Sequence, residues 1–347
     1  MKIFICEHAC STPSGGAATF APPGFRSDLL LMALLADITH VGDVNVSILR
    51  DPACAALALP AAASVMTLRA GGGSSEVRRV VDACIRNADA VWPLAPESDG
   101  ALESISKKVL QHNKILLGST PYAVHLAGSK FRTSQALRGA GIAVVPTWRS
   151  QANAPGDPQA LVVKPDDGAG CSDTHLFSHP QAAREWIAAR PDIDYVVQPY
   201  ISGRPCSLSL LCGNDDVFLL GCNDQRVAVS DNQFHYMGST VNSIDDESGA
   251  LERLARRVID AIPGLWGYVG IDLIITDQGP VVLGVNPRMT MSHAGLHASI
   301  GANPAAMLFD MLRSGHCGIP SASKSRQVSV DVTDREPGNR ASFASTH

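Results

Sequence analysis

The sequence predicts an α/β protein in which a parallel α/β domain precedes a region of antiparallel strands. In the first third of the chain, short β-rich runs alternate with amphipathic stretches at helical spacing, an order typical of parallel sheets covered by helices. Further along, strand-like runs are joined by short turns rich in Gly, Asp and Asn, which is typical of antiparallel hairpins. The length of 347 residues suggests two or three domains.

The N-terminal domain is predicted to span residues 1–119. Strands are expected at 2–6, 44–49, 90–94 and 115–118, and helices at 27–37, 75–85 and 102–110. Each predicted helix repeats apolar residues at the spacing of one buried face, and each strand is a short run of β-formers.

The rest of the chain is predicted to form two α+β subdomains, 120–197 and 198–315, followed by a tail. The expected elements are helices within 123–137, strands at 160–165, 195–201, 206–212 and 217–222, a helix at 247–262, and a hairpin of 267–275 with 281–288. Residues 316–347 contain few apolar side chains, which predicts a disordered tail.

Composition excludes several function classes. The net charge of −5 and the modest basic content leave no stripe for a nucleic-acid partner. No apolar run reaches the roughly 20 residues that span a bilayer, so no membrane association is expected. The short N-terminal apolar run is typical of a strand and not of a signal peptide, and nine irregularly spaced cysteines indicate reduced thiols. A cytoplasmic protein is therefore predicted.

The hairpin carries the first chemical signal. Asp272 lies on its first strand and Asn286 just past its second, so two oxygen ligands can face one point. Mg²⁺ prefers oxygen ligands together with the phosphates of a nucleotide. Arg288 follows with a planar fork suited to phosphate or carboxylate. Taken alone, the stretch is equally compatible with a buried hairpin that has a surface Asp and an Asn-Pro turn.

A second signal follows the strand that ends at Lys164. The loop contains Gly168, Ala169, Gly170, Cys171 and Ser172. Small residues let backbone amides approach an anion, and successive N–H groups can form an anion-binding nest. The loop lacks the order of a Walker A motif or a Rossmann fingerprint. An ordinary Gly-rich turn is the alternative.

The order of five motifs resembles the ATP-grasp superfamily of carboxylate–amine ligases. These motifs are Lys130 in Gly128–Thr133, Lys164 with its glycine loop, Gln198–Gly203, Asp272 and Val285–Arg288. The resemblance covers residues 1–315, and it implies an ATP-grasp fold in which two α+β subdomains clamp ATP behind an N-terminal parallel α/β domain. Segments 92–100 and 203–209 resemble the tyramine–L-glutamate ligases of methanofuran-type cofactor synthesis.

The resemblance implies a role for each motif. Lys130 and Lys164 would bind the α- and β-phosphates of ATP, and the loop 168–172 would close over them. The adenine site would be lined by Gln198, Pro199, Tyr200 and Ile201. Asp272 and Asn286 would hold one or two Mg²⁺ ions, and Arg288 would stabilise the transferred phosphoryl group. Without the motif order, a surface helix lysine would be the default interpretation of Lys130, and an ordinary strand end is the alternative for 198–201.

Further candidates concern the substrates. Asn223, Gln225 and Arg226 lie on a predicted strand, and Ser292 follows the Asn-Pro-Arg turn. Glu97 follows a strand of the parallel sheet, at the edge where such sheets bind ligands, and its carboxylate is suited to an ammonium group. A solvated helix entry is the alternative for Glu97.

Gly284 departs from the superfamily, which places a Mg²⁺-bridging Glu at this position. Glycine supplies no side-chain oxygen, whereas two divalent ions beside a triphosphate need anionic ligands. Three interpretations stay open: one tightly bound Mg²⁺ with slow turnover, recruitment of a nearby carboxylate, or a weak or inactivated homologue.

We therefore expect an ATP-dependent carboxylate–amine ligase with small-molecule carboxylate and amine substrates. Glutamate is the expected carboxylate donor, and tyramine or a second glutamate is the expected acceptor, with other amino acid pairs open. A nucleotide-binding module without catalysis is the rival that Gly284 motivates. No Gly-x-Gly-x-x-Gly follows the first strand, which disfavours an oxidoreductase. A homodimer is expected by fold-level analogy.

Overall fold

The structure, a computed structural model, describes residues 1–8, 25–50, 60, 63–67, 74–149, 160–214, 216–315 and 325–332. The N-terminal strands are β1 (Lys2–Glu7), β2 (Asn45–Arg50), β3 (Ala63–Thr67), β4 (Ala90–Leu94) and β5 (Ile115–Leu116). The N-terminal helices are α1 (Phe25–Ile38), α2 (Ser74–Asn87) and α3 (Ala101–Gln111). All strand pairs are parallel, in the order β3-β2-β1-β4-β5, which confirms the predicted parallel α/β domain.

Strand β3 was not predicted, and its position explains why. It is an edge strand whose Val65 and Met66 side chains are exposed. A strand that buries neither face need not show the alternation of apolar and polar residues from which strands are recognised.

Strand β1 is buried on both faces, as a central parallel strand must be. Ile3 and Ile5 belong to a core that also contains Leu34 of α1. Phe4 and Cys6 point the other way, into a core formed with α2 and α3. The first core also contains Leu308 and Phe309, which belong to a helix in the C-terminal part of the chain. The N-terminal sheet and the C-terminal helices therefore share one hydrophobic core.

The second sheet contains the remaining strands. They are β6 (Leu161–Pro165), β7 (His175–Phe177), β8 (Tyr195–Pro199), β9 (Arg204–Cys212), β10 (Val217–Ser230), β11 (Gln233–Val241), β12 (Gly267–Thr276), β13 (Gly279–Asn286) and β14 (Val328–Asp331). The helices are α4 (Pro121–Ala127), α5 (Lys130–Gly139), α6 (Pro180–Ala188), α7 (Ala250–Ala261), α8 (His293–Ile300) and α9 (Pro304–Ser314). Among the described residues, no helix is long and apolar enough to cross a membrane.

The strand order β13-β12-β9-β10-β11-β7-β6-β8 divides this sheet into two antiparallel groups. Strands β6 to β8 form the smaller group, which we call the lid. The lid is paired with the larger group through one antiparallel residue pair, Gln233 of β11 with His175 of β7. The predicted boundary at residue 197 falls inside β8, whereas the predicted boundary at 119 falls between β5 and α4.

The predicted disordered tail is wrong for part of its length. Strand β14 pairs antiparallel with β11, with Val328 opposite Val241, and the side chains of Val328 and Val330 are buried. The alternating valines of β14 complete the core that packs against α8. This alternation is too short, among the surrounding polar residues, to predict a strand from the sequence. Residues 316–324 and 333–347 lie outside the described residues.

The start of α4 is locked to the loop before β12. Thr120 caps α4 by accepting a hydrogen bond from the Ala123 N–H at 3.3 Å, and its own N–H donates to the Gly264 carbonyl at 2.9 Å. Gly264 has a φ of +91°, and a Cβ there would lie 2.2 Å from Thr120 Oγ1. Glycine is therefore required at position 264.

Gly264→Ala should lower the free energy of unfolding by about 2–4 kcal/mol, because it adds backbone strain of about 1–3 kcal/mol and disrupts a helix cap of about 1 kcal/mol. Urea unfolding followed by circular dichroism measures the change.

Gly139→Ala is the matched control. A Cβ at Gly139, the last residue of α5, meets nothing within 4 Å, so this variant should be as stable as wild type or more stable by up to about 1 kcal/mol. Equal stability of both variants would contradict the proposed lock.

Candidate active site

A cavity of about 210 Å³ lies between the lid, the β12–β13 hairpin and the N-terminal domain. The residues predicted to bind ATP that line it are Lys130, Lys164, Gly168, Ala169, Gly170, Cys171, Gln198, Pro199, Tyr200 and Ile201. Asp272, Asn286, Gln225 and Glu97 line it as well. Ser172 does not line the cavity; its N–H closes a turn on the Ala169 carbonyl.

Lys130 connects helix α5 to the glycine loop through hydrogen bonds from its side chain. The helix begins at Lys130 because Ser129 caps it, accepting from the Arg132 N–H at 3.1 Å. The Lys130 ammonium donates to the carbonyls of Asp166 at 3.1 Å and Gly168 at 2.6 Å. Burial lowers the pKa of Lys130, and the charge of Asp166 is the largest of several that oppose this shift.

Lys164 extends from the end of β6 into the cavity. Among the described residues, none accepts a hydrogen bond from its ammonium group. Burial lowers the pKa of Lys164 to about 8, and the charge of Lys130 lowers it further. A buried cation without an acceptor is costly, so the cavity favours an anionic ligand that contacts Lys164.

The glycine loop is held at both ends. Before it, the Asp166 carboxylate accepts from the Ser129 hydroxyl at 2.6 Å and the Phe131 N–H at 2.8 Å. After it, Asp173 accepts from the Tyr195 hydroxyl. Between these anchors, Gly170 and Cys171 adopt a φ of 63°. In the described part of the chain, the Ala169 and Gly170 N–H groups have no acceptor, which leaves them for an anion.

Part of the cavity is an apolar slot. The apolar residues of the lining include Val162, Pro199, Ile201, Pro205, Ile274, Leu283 and Val285. The buried Gln198 side chain donates from Nε2 to Thr147 Oγ1 at 2.9 Å, which fixes its position in the cavity lining. Tyr200 is 48% exposed at the rim. Such a slot suits the flat face of a nucleobase.

The hairpin places Asp272 and Asn286 side by side, as the sequence predicted. Asn286 Nδ2 donates to Asp272 Oδ2 at 2.9 Å, and Gln225 Nε2 donates to Asp272 Oδ1 at 2.8 Å. Oxygen ligands of this kind suit Mg²⁺, whose coordination phosphates and water would complete. Within the described ranges, no group of three or more His, Cys, Asp or Glu is placed to hold a metal.

Gly284 is paired with Asp272 across the hairpin, at the position of the missing carboxylate. A Cβ at Gly284 would meet nothing within 4 Å, and its φ lies outside the left-handed region. The backbone therefore does not require glycine at this position.

Arg288 is held by Glu97 of the N-terminal domain. Its Nε lies 3.0 Å from both Glu97 oxygens, and one terminal nitrogen lies 2.9 Å from Oε2. The pair is largely buried, and Arg288 is not among the residues that line the cavity. The Glu97 carboxylate is therefore occupied by Arg288, which argues against its predicted role of attracting an ammonium group. Arg288 itself does not line the cavity, and it contacts Glu97, which does.

Three predicted substrate residues lie away from the cavity. Asn223 is fully buried and donates to the hydroxyls of two serines of β9, at 3.0 and 3.3 Å. Arg226 pairs with Asp331 of β14, and Ser292 lies 3.2 Å from the Ser239 hydroxyl. Each is held by packing partners that are distant in sequence, so of the four residues predicted on β10 and after the turn, Gln225 alone lines the cavity.

Asp167 was missed by the sequence reasoning, although it lies between Lys164 and Gly168 in the same loop. It lines the cavity, and its Oδ2 accepts from the Asp99 N–H at 2.9 Å. Its position directly before Gly168 was the feature of the sequence that could have identified it as a candidate site residue.

Two family models match the chain. Residues 44–124 match the pre ATP-grasp 3 domain, and residues 127–292 match the ATP-grasp domain. Tyramine–L-glutamate ligase of Methanocaldococcus jannaschii is 27% identical over 210 residues, which cover 60% of this chain and 59% of that protein. The chain thus spans about three fifths of the length of the curated relatives it matches.

Solved structures share the architecture. An ATP-grasp superfamily protein from Archaeoglobus fulgidus superposes with a TM-score of 0.69 at 21% identity, covering 99% of this chain and 97% of that one. L-Amino acid ligase from Bacillus licheniformis gives 0.69 at 16% identity, covering 94% and 78%. The fold, the order of the motifs and the two domain matches agree, and the chain belongs to the ATP-grasp superfamily.

Proposed function

We propose that this chain is an ATP-dependent ligase that joins a carboxylate to an amine. The observation that carries the proposal is the pair of lysines at one cavity, of which Lys164 has no acceptor among the described residues. An oxygen-rich hairpin and free loop amides border the same cavity. A polyphosphate is the ligand class that satisfies all of these groups at once.

The proposed chemistry has two steps. A substrate carboxylate attacks the terminal phosphoryl group of ATP and gives an acylphosphate and ADP, and an amine then displaces phosphate from the acyl carbon. Phosphoryl transfer depends mainly on positioning and charge neutralisation. Lys130, Lys164 and the amides of Ala169 and Gly170 are the groups that would hold and neutralise the phosphates.

Asp272 and Asn286 would hold Mg²⁺, which supplies charge neutralisation at the phosphates. Their donor set supports one ion. The Glu97–Arg288 pair would deliver a guanidinium to the phosphate side of the cavity once an anion competes with Glu97 for it.

Glutamate is the proposed carboxylate, and tyramine or a second glutamate the proposed amine. The support is the name of the Methanocaldococcus jannaschii relative together with segments 92–100 and 203–209. Methanofuran-type cofactor synthesis, a cytoplasmic location and a homodimer stay predictions.

A second candidate is a nucleotide-binding module without turnover. Gly284 favours it, because the hairpin offers a single carboxylate where two ions would need more. Both candidates require ATP binding, and only the ligase requires an acceptor.

The purified protein should release ADP only when ATP, Mg²⁺, glutamate and an amine are all present. A coupled ADP assay with tyramine, glutamate and a panel of other amines measures this. ATP binding by calorimetry without acceptor-dependent ADP across the panel would favour the binding module instead.

ATP affinity should fall as the pH rises above about 8, because the pKa of Lys164 lies at about 8 and only its charged form binds phosphate. Above that pKa, ATP binding requires proton uptake, so the Kd should rise up to about tenfold per pH unit. The terminal phosphate, with a second pKa of about 6, is already ionised in this range. Calorimetry between pH 7 and 9.5 measures the trend.

Lys164→Met should weaken ATP binding at pH 7 about tenfold or more, the equivalent of a lost charge-assisted contact of roughly 1.5–3 kcal/mol, and should flatten the pH trend. Lys107→Ala removes an exposed lysine of α3 paired with Glu103 and should leave both unchanged. A pH trend that survives in Lys164→Met would refute this role.

Gly284→Glu should lower the Mg²⁺ concentration needed for half-maximal ADP release, because it restores a carboxylate opposite Asp272 at a position with room for a side chain. A Mg²⁺ titration of the initial rate measures the shift.

Gly284→Gln is the matched control, since it has the same length without the charge. Equal Mg²⁺ dependence in both variants, with the fold retained, would mean that a carboxylate at position 284 is not limiting.

A further inference from the structure

Four carboxylates surround the charge of Lys130. Burial lowers the pKa of Lys130, and the carboxylates of Asp166, Glu97, Asp167 and Asp272 all oppose that shift. Their partners distinguish them, because a carboxylate oxygen that already accepts a hydrogen bond or binds a cation has fewer lone pairs left for a further ligand.

Three of the four are occupied on both oxygens. Asp166 accepts from Ser129, Phe131 and Arg149. Glu97 binds Arg288 through both oxygens, and each oxygen of Asp272 accepts from one amide.

Asp167 differs from the other three. Its Oδ2 accepts from the Asp99 N–H at 2.9 Å, and its carbonyl accepts from the Ser98 hydroxyl at 3.1 Å. In the described part of the chain, no donor reaches its Oδ1 and no cationic side chain pairs with its carboxylate. It lines the cavity, where the N-terminal domain meets the glycine loop.

The two contacts fix the position of this carboxylate. Ser98 and Asp99 belong to the 3₁₀ turn Ser98–Gly100 that follows β4, at the carboxyl edge of the parallel sheet. Open α/β sheets bind ligands at this edge. The turn therefore holds Asp167 at the lining of the cavity.

We propose that Asp167 binds the ammonium group of the acceptor amine and takes its proton during amide formation; this inference rests on the proposed ligase function. Of the four carboxylates, Asp167 is the one with an oxygen that accepts from no donor in the described part of the chain. An amine substrate arrives as a cation that needs a negative partner and a proton acceptor.

The step balances as follows. The ammonium group loses one proton to the Asp167 carboxylate and from there to water, which frees the nitrogen lone pair. The nitrogen then forms the C–N bond with the acyl carbon, and the C–O bond to phosphate breaks with its electron pair on phosphate. The second nitrogen proton leaves on the phosphate.

Asp167→Asn in the full chain tests this with two nucleophiles, an amine acceptor and hydroxylamine. Hydroxylamine is uncharged near pH 7.5, so it traps an acylphosphate without needing a carboxylate to bind or deprotonate it. The variant should lower kcat/KM for tyramine or glutamate by about 10²–10⁴-fold, while glutamate-dependent ADP release with hydroxylamine stays near the wild-type rate. Asp167→Glu should recover part of the lost rate.

Asp310→Asn is the matched control. It makes the same carboxylate-to-amide change at an exposed residue of α9 that does not line the cavity, so both rates should stay near wild type. Equal loss with both nucleophiles in Asp167→Asn, or no loss with the amine, would overturn the proposal. Should Asp167→Asn fail to fold, Asp167→Ser is judged by the same ratio of rates. A wild-type chain inactive with both nucleophiles overturns the ligase function together with this role.

Discussion

Two ammonium groups buried near each other are the constraint on which this site depends. Burial lowers the pKa of both groups, and the charge of Lys130 lowers the pKa of Lys164 further. The protein offsets the charge of Lys130 with two carbonyls and a set of carboxylates. It leaves Lys164 without an acceptor among the described residues, so the arrangement is complete only when an anion is bound.

The same constraint joins the three parts of the chain. Lys130 begins α5, Lys164 lies near the end of β6, and Asp166 forms hydrogen bonds that join the two elements. The N-terminal domain closes the third side through Glu97 and the turn at Ser98–Gly100. Because one core runs from β1 to α9, that domain is a wall of the site and not a separate module.

The sequence predicted the parts of the site that lie within one element or one hairpin. Asp272 and Asn286 meet because the pairing of β12 with β13 follows from a short turn, and Lys164 reaches the cavity because a strand ends at its loop. Contacts between segments that are distant in the sequence were not predicted. Arg226 is held by β14, more than a hundred residues away, and Glu97 is held by Arg288 across the domain boundary. No local pattern encodes such partners, and polar residues on a strand look alike whether they face a ligand or another strand.

The single pair that joins β7 to β11 has a mechanical consequence. Two backbone hydrogen bonds near the tip of the β10–β11 hairpin, from Leu176 to Asn232 at 2.7 Å and from Phe234 to Thr174 at 2.9 Å, support that join. Bending at this hairpin tip would move β6, β7 and β8 together once the hydrogen bonds from Ser129, Phe131 and Asp99 to the loop after β6 are broken. Exchange of a bound ligand would then require a hinge rotation at one end of the lid and the loss of these loop contacts at the other, without melting of the interior.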